Sequence, residues 1–257
     1  MKAYFNLKSP IFQYLSLVLT LPVLWSCQPK VPLAYAVVNE AIERHGGMRY
    51  DSLEMSFDMG DGRFILDKKG ATFMYSRQFK DSLGQPVADF MDNDGFIRLV
   101  DGVSVGLSDD FRGELSRALE GTIFFILLPH GLNNRNARKE YIGHQNLKGE
   151  MYHVIKVGFS EGNSTEPYNA TFLFWINMAD QYVDYIAYEL LDLDKLRFRE
   201  AYNRREVNGL IIQDYYNYKP TDKEVTLHTL KDRYEKGKLE LHSEINHKNI
   251  SVAHRVD

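Results

Sequence analysis

Leu53-Glu54-Met55-Ser56-Phe57-Asp58-Met59 alternates apolar and polar side chains, and Gly60-Asp61-Gly62 then breaks the run. A period of two places Leu53, Met55, Phe57 and Met59 on one face of a strand and Glu54, Ser56 and Asp58 on the other. Asp-Gly is hairpin-turn chemistry, so the chain is expected to return at once. The same pattern repeats outward. Residues 64–66 start the return strand, and 72–79, 87–91, 96–100 and 103–107 read as further strands, with turns at Lys69-Gly70, at Asp92-Asn93-Asp94-Gly95 and at Asp101-Gly102. Short strands joined by tight glycine turns describe an antiparallel meander.

A second meander follows over 141–142, 151–159, 168–177, 182–190, 196–206 and 210–218, with Asn208-Gly209 as its strongest hairpin signal. Residues 239–241 and 250–252 supply final strands. Helical periodicity is confined to three places. Residues 32–45 carry Leu33, Val37, Ala41 and His45 at i+4 spacing and are stopped by Gly46-Gly47. Ser108 suits the cap of a helix through Asp109, Phe111, Leu115 and Leu119, which Gly121 is expected to interrupt. A short helical stretch covers 230–235. Residues 123–128, Ile-Phe-Phe-Ile-Leu-Leu, form the most apolar run of the mature chain. It is too short to span a bilayer and suits a segment covering a sheet face. The expected class is mainly β: a curved antiparallel sheet or incomplete barrel of about a dozen strands with two or three covering helices.

The amino terminus reads as an export signal. Lys2 and Lys8 precede an uncharged apolar run over 11–24, which leads through Leu24-Trp25-Ser26 into Cys27. Cys27 is the only cysteine, so no intramolecular disulfide forms and thioether lipidation is the reading that uses it. The expected organisation is a lipoprotein signal over 1–26, a lipidated, proline-containing tether over 27–32, and one domain over 33–257. Lys and Arg number 31 against 35 Asp and Glu, a net charge of −4 without a basic stripe, so nothing points to nucleic acid. Sixteen Tyr and 15 Phe suit sheets with a half-wet face or a lined pocket.

The residues of catalytic type form no constellation. None of the eight His makes a His-x-x-x-His pair on a helix, and His242, His247 and His254 match no metal template, so no metal or cofactor is expected. His45 reads as a cation at a helix C-terminus. Gly102-Val103-Ser104-Val105-Gly106 has the spacing of a nucleophile elbow but falls in a strand rather than between a strand and a helix. Arg77 and Arg98 share strand faces with aromatic residues. Each is either one half of an ion pair, with Asp89 and Glu200 as available partners, or the contact for the anionic end of an apolar ligand.

Five segments carry a family resemblance: His45-Gly46-Gly47; Gly95-Phe96-Ile97-Arg98; Leu128-Pro129-His130-Gly131-Leu132-Asn133; Arg197-Phe198-Arg199-Glu200-Ala201-Tyr202-Asn203; and Asp214-Tyr215-Tyr216-Asn217-Tyr218. Together they resemble an uncharacterised family of Bacteroidota lipoproteins whose fold is similar to the periplasmic lipoprotein carrier LolA. The resemblance implies a half-barrel with an apolar concave face lidded by helices. It also implies an outer-membrane lipoprotein on the periplasmic side, Gln28 not being acidic. No catalytic residue is carried over. The expected function is a membrane-anchored protein that binds or carries a lipid or other apolar ligand. The alternatives are a partner-docking envelope lipoprotein with a filled barrel, its protein partner unidentified, and an enzyme of unknown class using His130 or an acidic-histidine pair in the pocket. Periodicity assigns Phe57, Phe73, Tyr75, Phe96, Phe172, Phe174, Ile186 and Phe198 to the concave face, with residues 111–128 across it and Arg77 or Arg98 at the mouth.

Overall fold

The computed structural model describes Met1 and residues 32–134, 136–159, 170–190, 195–222 and 224–254. Cys27, the signal and the tether lie outside the described residues. The opening alternation is a hairpin, β1 (Ser52–Met59) with β2 (Gly62–Lys69), in which Phe57 lies opposite Phe64 and Met55 opposite Leu66. β3 (Thr72–Lys80), β4 (Pro86–Asp92), β5 (Gly95–Val100) and β6 (Val103–Ser104) continue the meander. The second meander is β7 (Ala137–Leu147), β8 (Glu150–Phe159), β9 (Ala170–Asn177), β10 (Val183–Leu190), β11 (Lys195–Val207) and β12 (Leu210–Pro220), followed by β13 (Leu239–Ile245) and β14 (Lys248–His254). The helices are α1 (Leu33–His45), α2 (Asp109–Ile126) and α3 (Leu230–Glu235). No helix among the described residues is long and apolar enough to cross a membrane.

These strands form two antiparallel seven-stranded sheets that do not close, ordered β14-β1-β2-β3-β4-β5-β6 and β13-β12-β11-β10-β9-β8-β7. The fold is mainly β and LolA-like. The last hairpin is divided, β13 pairing with β12 and β14 with β1, so one seam joins the sheets. β6 and β7 are the far edges, and α2 is the connection between them. It therefore runs over the concave side.

Three of the four sheet faces find cover. On the first sheet Leu53, Met55, Phe57, Phe64, Leu66, Met91 and Phe96 pack against Leu119, Ile123, Ile126 and Leu127 from α2 and the turn after it. On the second sheet Phe172, Phe174, Ile186 and Tyr188 pack under Val37, Val38, Ala41 and Ile42 of α1, with Phe124 and Phe125 of α2 beside them. Its outer face is covered as well, by Leu227, Leu230 and Tyr234 over Trp175, Tyr185 and Phe198. A sheet buried on both faces reads as a nearly continuous apolar run, as β9 does, whereas β1 alternates because its other face meets water.

Two local expectations change. Gly121 does not interrupt α2: the helix runs through it to Ile126, because burying Leu119, Ile123 and Ile126 outweighs the roughly 1 kcal/mol that glycine costs in a helix. His45 is not a cation at a helix end. It is fully buried, its Nδ1 lies 2.7 Å from the Ala41 carbonyl, and burial pushes its pKa down to about 4, so it is neutral. Gly46 stops α1 as expected. Its φ is 147°, and a Cβ there would meet Leu210 Cδ2 at 2.5 Å.

The seam is held by Asp214, which is 1% exposed. It accepts from the His247 backbone N–H at 2.9 Å, from Asn203 Nδ2 at 2.6 Å and from Arg205 Nη2 at 3.2 Å. Arg205 also donates to the His247 carbonyl at 2.5 Å. His247 sits in the turn between β13 and β14, with its ring edge-on to Phe57 of the first sheet at 5.4 Å. Burial alone would raise the Asp214 pKa, but the hydrogen bonds from His247, Asn203 and Arg205 bring it down to about 2. A carboxyl whose folded pKa lies below its unfolded value adds stability above pH of about 4, lost as pH falls through about 2. We expect this group to contribute about 2–3 kcal/mol across that window. Urea unfolding at pH 5, 4, 3 and 2 should show the drop in the wild-type protein and a flatter profile in Asp214→Asn. Parallel profiles would remove Asp214 from this role.

Candidate functional site: the helix in the concave face and its flanking clefts

Ser108 Oγ accepts from the Phe111 N–H at 3.4 Å, and Asp109 and Asp110 occupy the first turn, where negative charge suits the helix dipole. From that start α2 presents two apolar edges. Leu115, Leu119, Ile123 and Ile126 face the first sheet. Phe124 and Phe125 face the second, with Phe124 at 5.6 Å from Phe172 and Phe125 at 5.3 Å from Tyr188 between ring centroids. Unfilled space remains along both flanks of the helix: a cleft of about 520 Å³ and another of about 940 Å³.

The larger cleft has an apolar wall from Ile42, Phe73, Tyr75, Ile123, Phe124 and Leu127. Phe73 and Tyr75 stack at 4.5 Å. Its polar side is built on Lys68, whose Nζ donates to the Tyr50 carbonyl at 3.1 Å and lies 3.4 Å from His130 Nε2 and 3.9 Å from Asp51. The His130 ring stacks on Tyr50 at 5.0 Å. Burial, then the adjacent Lys68 charge, push the His130 pKa down to about 4, leaving a neutral imidazole whose Nε2 can accept from Lys68. Burial likewise lowers the Lys68 pKa, with Asp51 opposing. Glu43, Asp51 and Glu120 make the rim acidic around this one lysine. Among the described residues no cluster of His, Cys, Asp and Glu could hold a metal ion.

The smaller cleft contains Phe64, Arg77, Asp89, Leu115 and Leu119. Arg98 is clasped by Asp89 through both carboxylate oxygens, at 2.6 and 2.8 Å. Arg77 donates to Asp61 at 3.2 Å, and its guanidinium lies 4.2 Å from the Phe79 ring centroid. Both arginines thus point to the concave side, in the same cross-strand row as Phe57, Phe64 and Asp89. The ion-pair alternative describes Arg98. Glu200, the other partner considered, is taken by Lys148 at 2.9 Å.

Of the eight apolar residues assigned to the concave face, seven lie there and one does not. Phe73 and Tyr75 line the larger cleft. Phe57 and Phe96 are packed under α2, and Phe172, Phe174 and Ile186 lie beneath α1 and α2. Phe198 is on the outer face. In the register of β10 with β11 it lies opposite Ala187, while Ile186 lies opposite Arg199, so Ile186 and Phe198 point to opposite sides of the sheet. Gly102 to Gly106 makes no elbow, because Val103–Ser104 is a short exposed edge strand. Two residues escaped the sequence reading. Lys68 follows Phe64 and Leu66 at a spacing of two on the same strand, a signal that the alternation itself carries. By alternation alone Arg199 shares its strand face with Arg197 and Arg205, a charged face that the pattern assigns to solvent.

The fold has solved relatives. A LolA superfamily protein from Nitrosomonas europaea superposes with a TM-score of 0.50 at 12% identity, over 86% of this chain and 94% of that one. A DUF1329 family protein from Desulfovibrio piger aligns at a TM-score of 0.40 and 11% identity, over 86% and 93%. A domain from Vibrio parahaemolyticus described as an outer membrane lipoprotein-sorting protein aligns at 0.42 and 10%, over 79% and 98%. No curated protein matches the chain. The model of the family of unknown function DUF6503 matches residues 14–247, and the chain belongs to that family.

Proposed function

We propose that this protein is an envelope lipoprotein, anchored through Cys27, that binds an amphiphilic ligand on its concave face beside α2. The observation that carries the reading is the cleft of about 940 Å³ between α2 and β3, the strand bearing Phe73 and Tyr75. That volume is within the range of small-molecule sites, and its walls are aromatic and aliphatic with a few polar groups at one side. An acyl chain placed there gains about 0.8 kcal/mol per methylene buried. The likeness to a LolA superfamily structure is one of fold, and a half-barrel of that kind has room for such a site. Among the arginines first considered for the head group, Arg77 is the more available. Its partner Asp61 is largely exposed, whereas the Asp89 carboxylate paired with Arg98 is buried. A second reading, a docking lipoprotein with a filled barrel, is favoured by Phe57, Phe172, Phe174 and Ile186, which are already packed under the helices.

The two readings separate in native mass spectrometry of Cys27→Ala protein purified from its own envelope. The carrier reading expects a stoichiometric lipid, reduced about tenfold in Tyr75→Glu, which places a charge on the apolar wall. A ligand-free protein that also takes up no added palmitate gives the docking reading the lead. Arg98→Ala belongs in the same series with a stability readout. It leaves Asp89 buried and unpaired at a cost of about 3–5 kcal/mol, so lost ligand there counts only if the fold survives.

Anchoring has its own test. Wild-type protein should partition into the detergent phase and Cys27→Ala into the aqueous phase. Unchanged membrane association of the variant would remove lipidation as the anchor.

A further inference from the structure

Among the described residues, Arg199 is a buried arginine without a counter-ion. It lies on the inner face of the second sheet, opposite Ile186 on one side and Asn217 on the other, and is 8% exposed. Its Nη2 donates to Tyr188 Oη at 3.1 Å, and its Nε has no partner. Aromatic rings surround the rest: the guanidinium carbon is 3.6 Å from the Phe125 ring centroid, 5.2 Å from Tyr188 and 5.8 Å from Tyr215. Among the described residues no carboxylate reaches it. Half-buried arginines elsewhere in the fold are treated differently. Arg98 has Asp89, Arg204 has Asp184 and Arg205 has Asp214. Aromatic faces compensate a guanidinium only in part, and a buried charge is ordinarily kept by an ionic partner. A second orphan stands beside it: Asn217 Oδ1 is buried with no donor, on the residue directly across the strand pair.

We infer that Arg199 is the recognition point for the oxyanion of an amphiphilic ligand, which reaches the guanidinium by replacing Phe125 above it. The inference rests on the carrier reading and specifies the ligand's head. Phe125 and Phe124 are consecutive on α2. Phe124 lines the larger cleft and Phe125 covers Arg199, so turning that part of the helix aside joins cleft and cation. Room for the movement exists on both flanks. Leu115, Ala118, Leu119 and Thr122 border one cleft, and Glu120, Ile123, Phe124 and Leu127 border the other. The oxyanion accepts from Nε, and an adjacent hydroxyl or amine of the same head can donate to Asn217 Oδ1. The apolar chain takes the place of Phe124 and Phe125 against Phe172 and Tyr188, and extends into the cleft.

The test is native mass spectrometry of the full-length protein released from neutral detergent micelles, with matched lipid pairs. Phosphatidylglycerol against diacylglycerol isolates a phosphate, and palmitate against hexadecanol isolates a carboxylate. Wild-type protein should prefer at least one of the charged members by about tenfold or more. Arg199→Met, which keeps the shape and removes the charge, should bind the neutral members as wild type does and lose the preference. Its urea midpoint should equal or exceed that of wild type, because an uncompensated buried charge is gone. A purely structural arginine predicts a lowered midpoint with the preference intact, and that result overturns the inference. Phe125→Ala guards against a misfolded Arg199→Met: uncovering the cation should raise affinity for the charged lipids alone, and equal effects on charged and neutral lipids overturn the role of Arg199. Wild-type protein that takes up charged and neutral members equally leaves the carrier reading standing and defeats this inference only. Uptake of none defeats both.

Discussion

One carboxylate sits where the two sheets meet, and the half-barrel depends on its hydrogen bonds. Asp214 belongs to β12 of the second sheet, yet besides Asn203 and Arg205 of its own sheet it accepts from the turn that delivers β14 to the first. If that turn could slide, β14 would lose its register with β1, and the hairpin that begins the first sheet would have a free edge on its outer side. The Asn208-Gly209 turn reinforces the arrangement. Asn208 Nδ2 donates to the Val252 carbonyl at 3.0 Å, and the Asn208 carbonyl accepts from His254 Nε2 at 2.7 Å. The strongest hairpin signal in the chain is thus also a contact with the outer edge of β14.

The seam has a consequence on the opposite side. With the sheets joined at β13 and β14, the edges at β6 and β7 lie apart, and the chain has to pass from one to the other. It does so as α2. A helix in that position is asked to fill a concavity with side chains from a cylinder, and it meets one sheet with aliphatic residues and the other with two phenylalanines. The fit is tight along the lines of contact and loose on both flanks, which is where the clefts are. Space beside the helix, rather than a preformed open bowl, is therefore the property on which a ligand would depend.

The charges follow the same geometry. Along the inner row of the first sheet, Arg77, Asp89 and Arg98 lie side by side on paired strands, and the buried carboxylate settles on Arg98 with two hydrogen bonds. On the inner face of the second sheet Arg199 has aromatic neighbours and a single phenol. The same residue type, on equivalent faces of two sheets, is a neutralised structural pair in one and, among the described residues, a cation without a carboxylate in the other. The difference is the composition of the neighbouring strands.

What could be read in the residues alone follows from chain-local physics. Alternation in β1, the glycine turns, the Ser108 cap and the Gly46 stop each depend on backbone dihedrals and near neighbours, so the class of fold and most strand positions were legible. Concave-face residues were legible wherever one face of a strand is wet, as for Phe57, Phe73, Tyr75 and Phe96. Lys68 could have been found by following its strand two residues further. Partition into two sheets, the passage of α2 through Gly121, the neutral state of His45 and the pairing of Arg98 required the tertiary structure. Each is a choice between partners far apart in the chain. Phe198 shows the reason most plainly. β10 is apolar on both faces at its centre, and in β11 the apolar Phe198 alternates with Arg197 and Arg199, yet it is the Phe198 face that finds cover on the outside, under Tyr234. Only the register, with Ala187 opposite Phe198 and Ile186 opposite Arg199, decides which side chain turns outward and which cation is buried within.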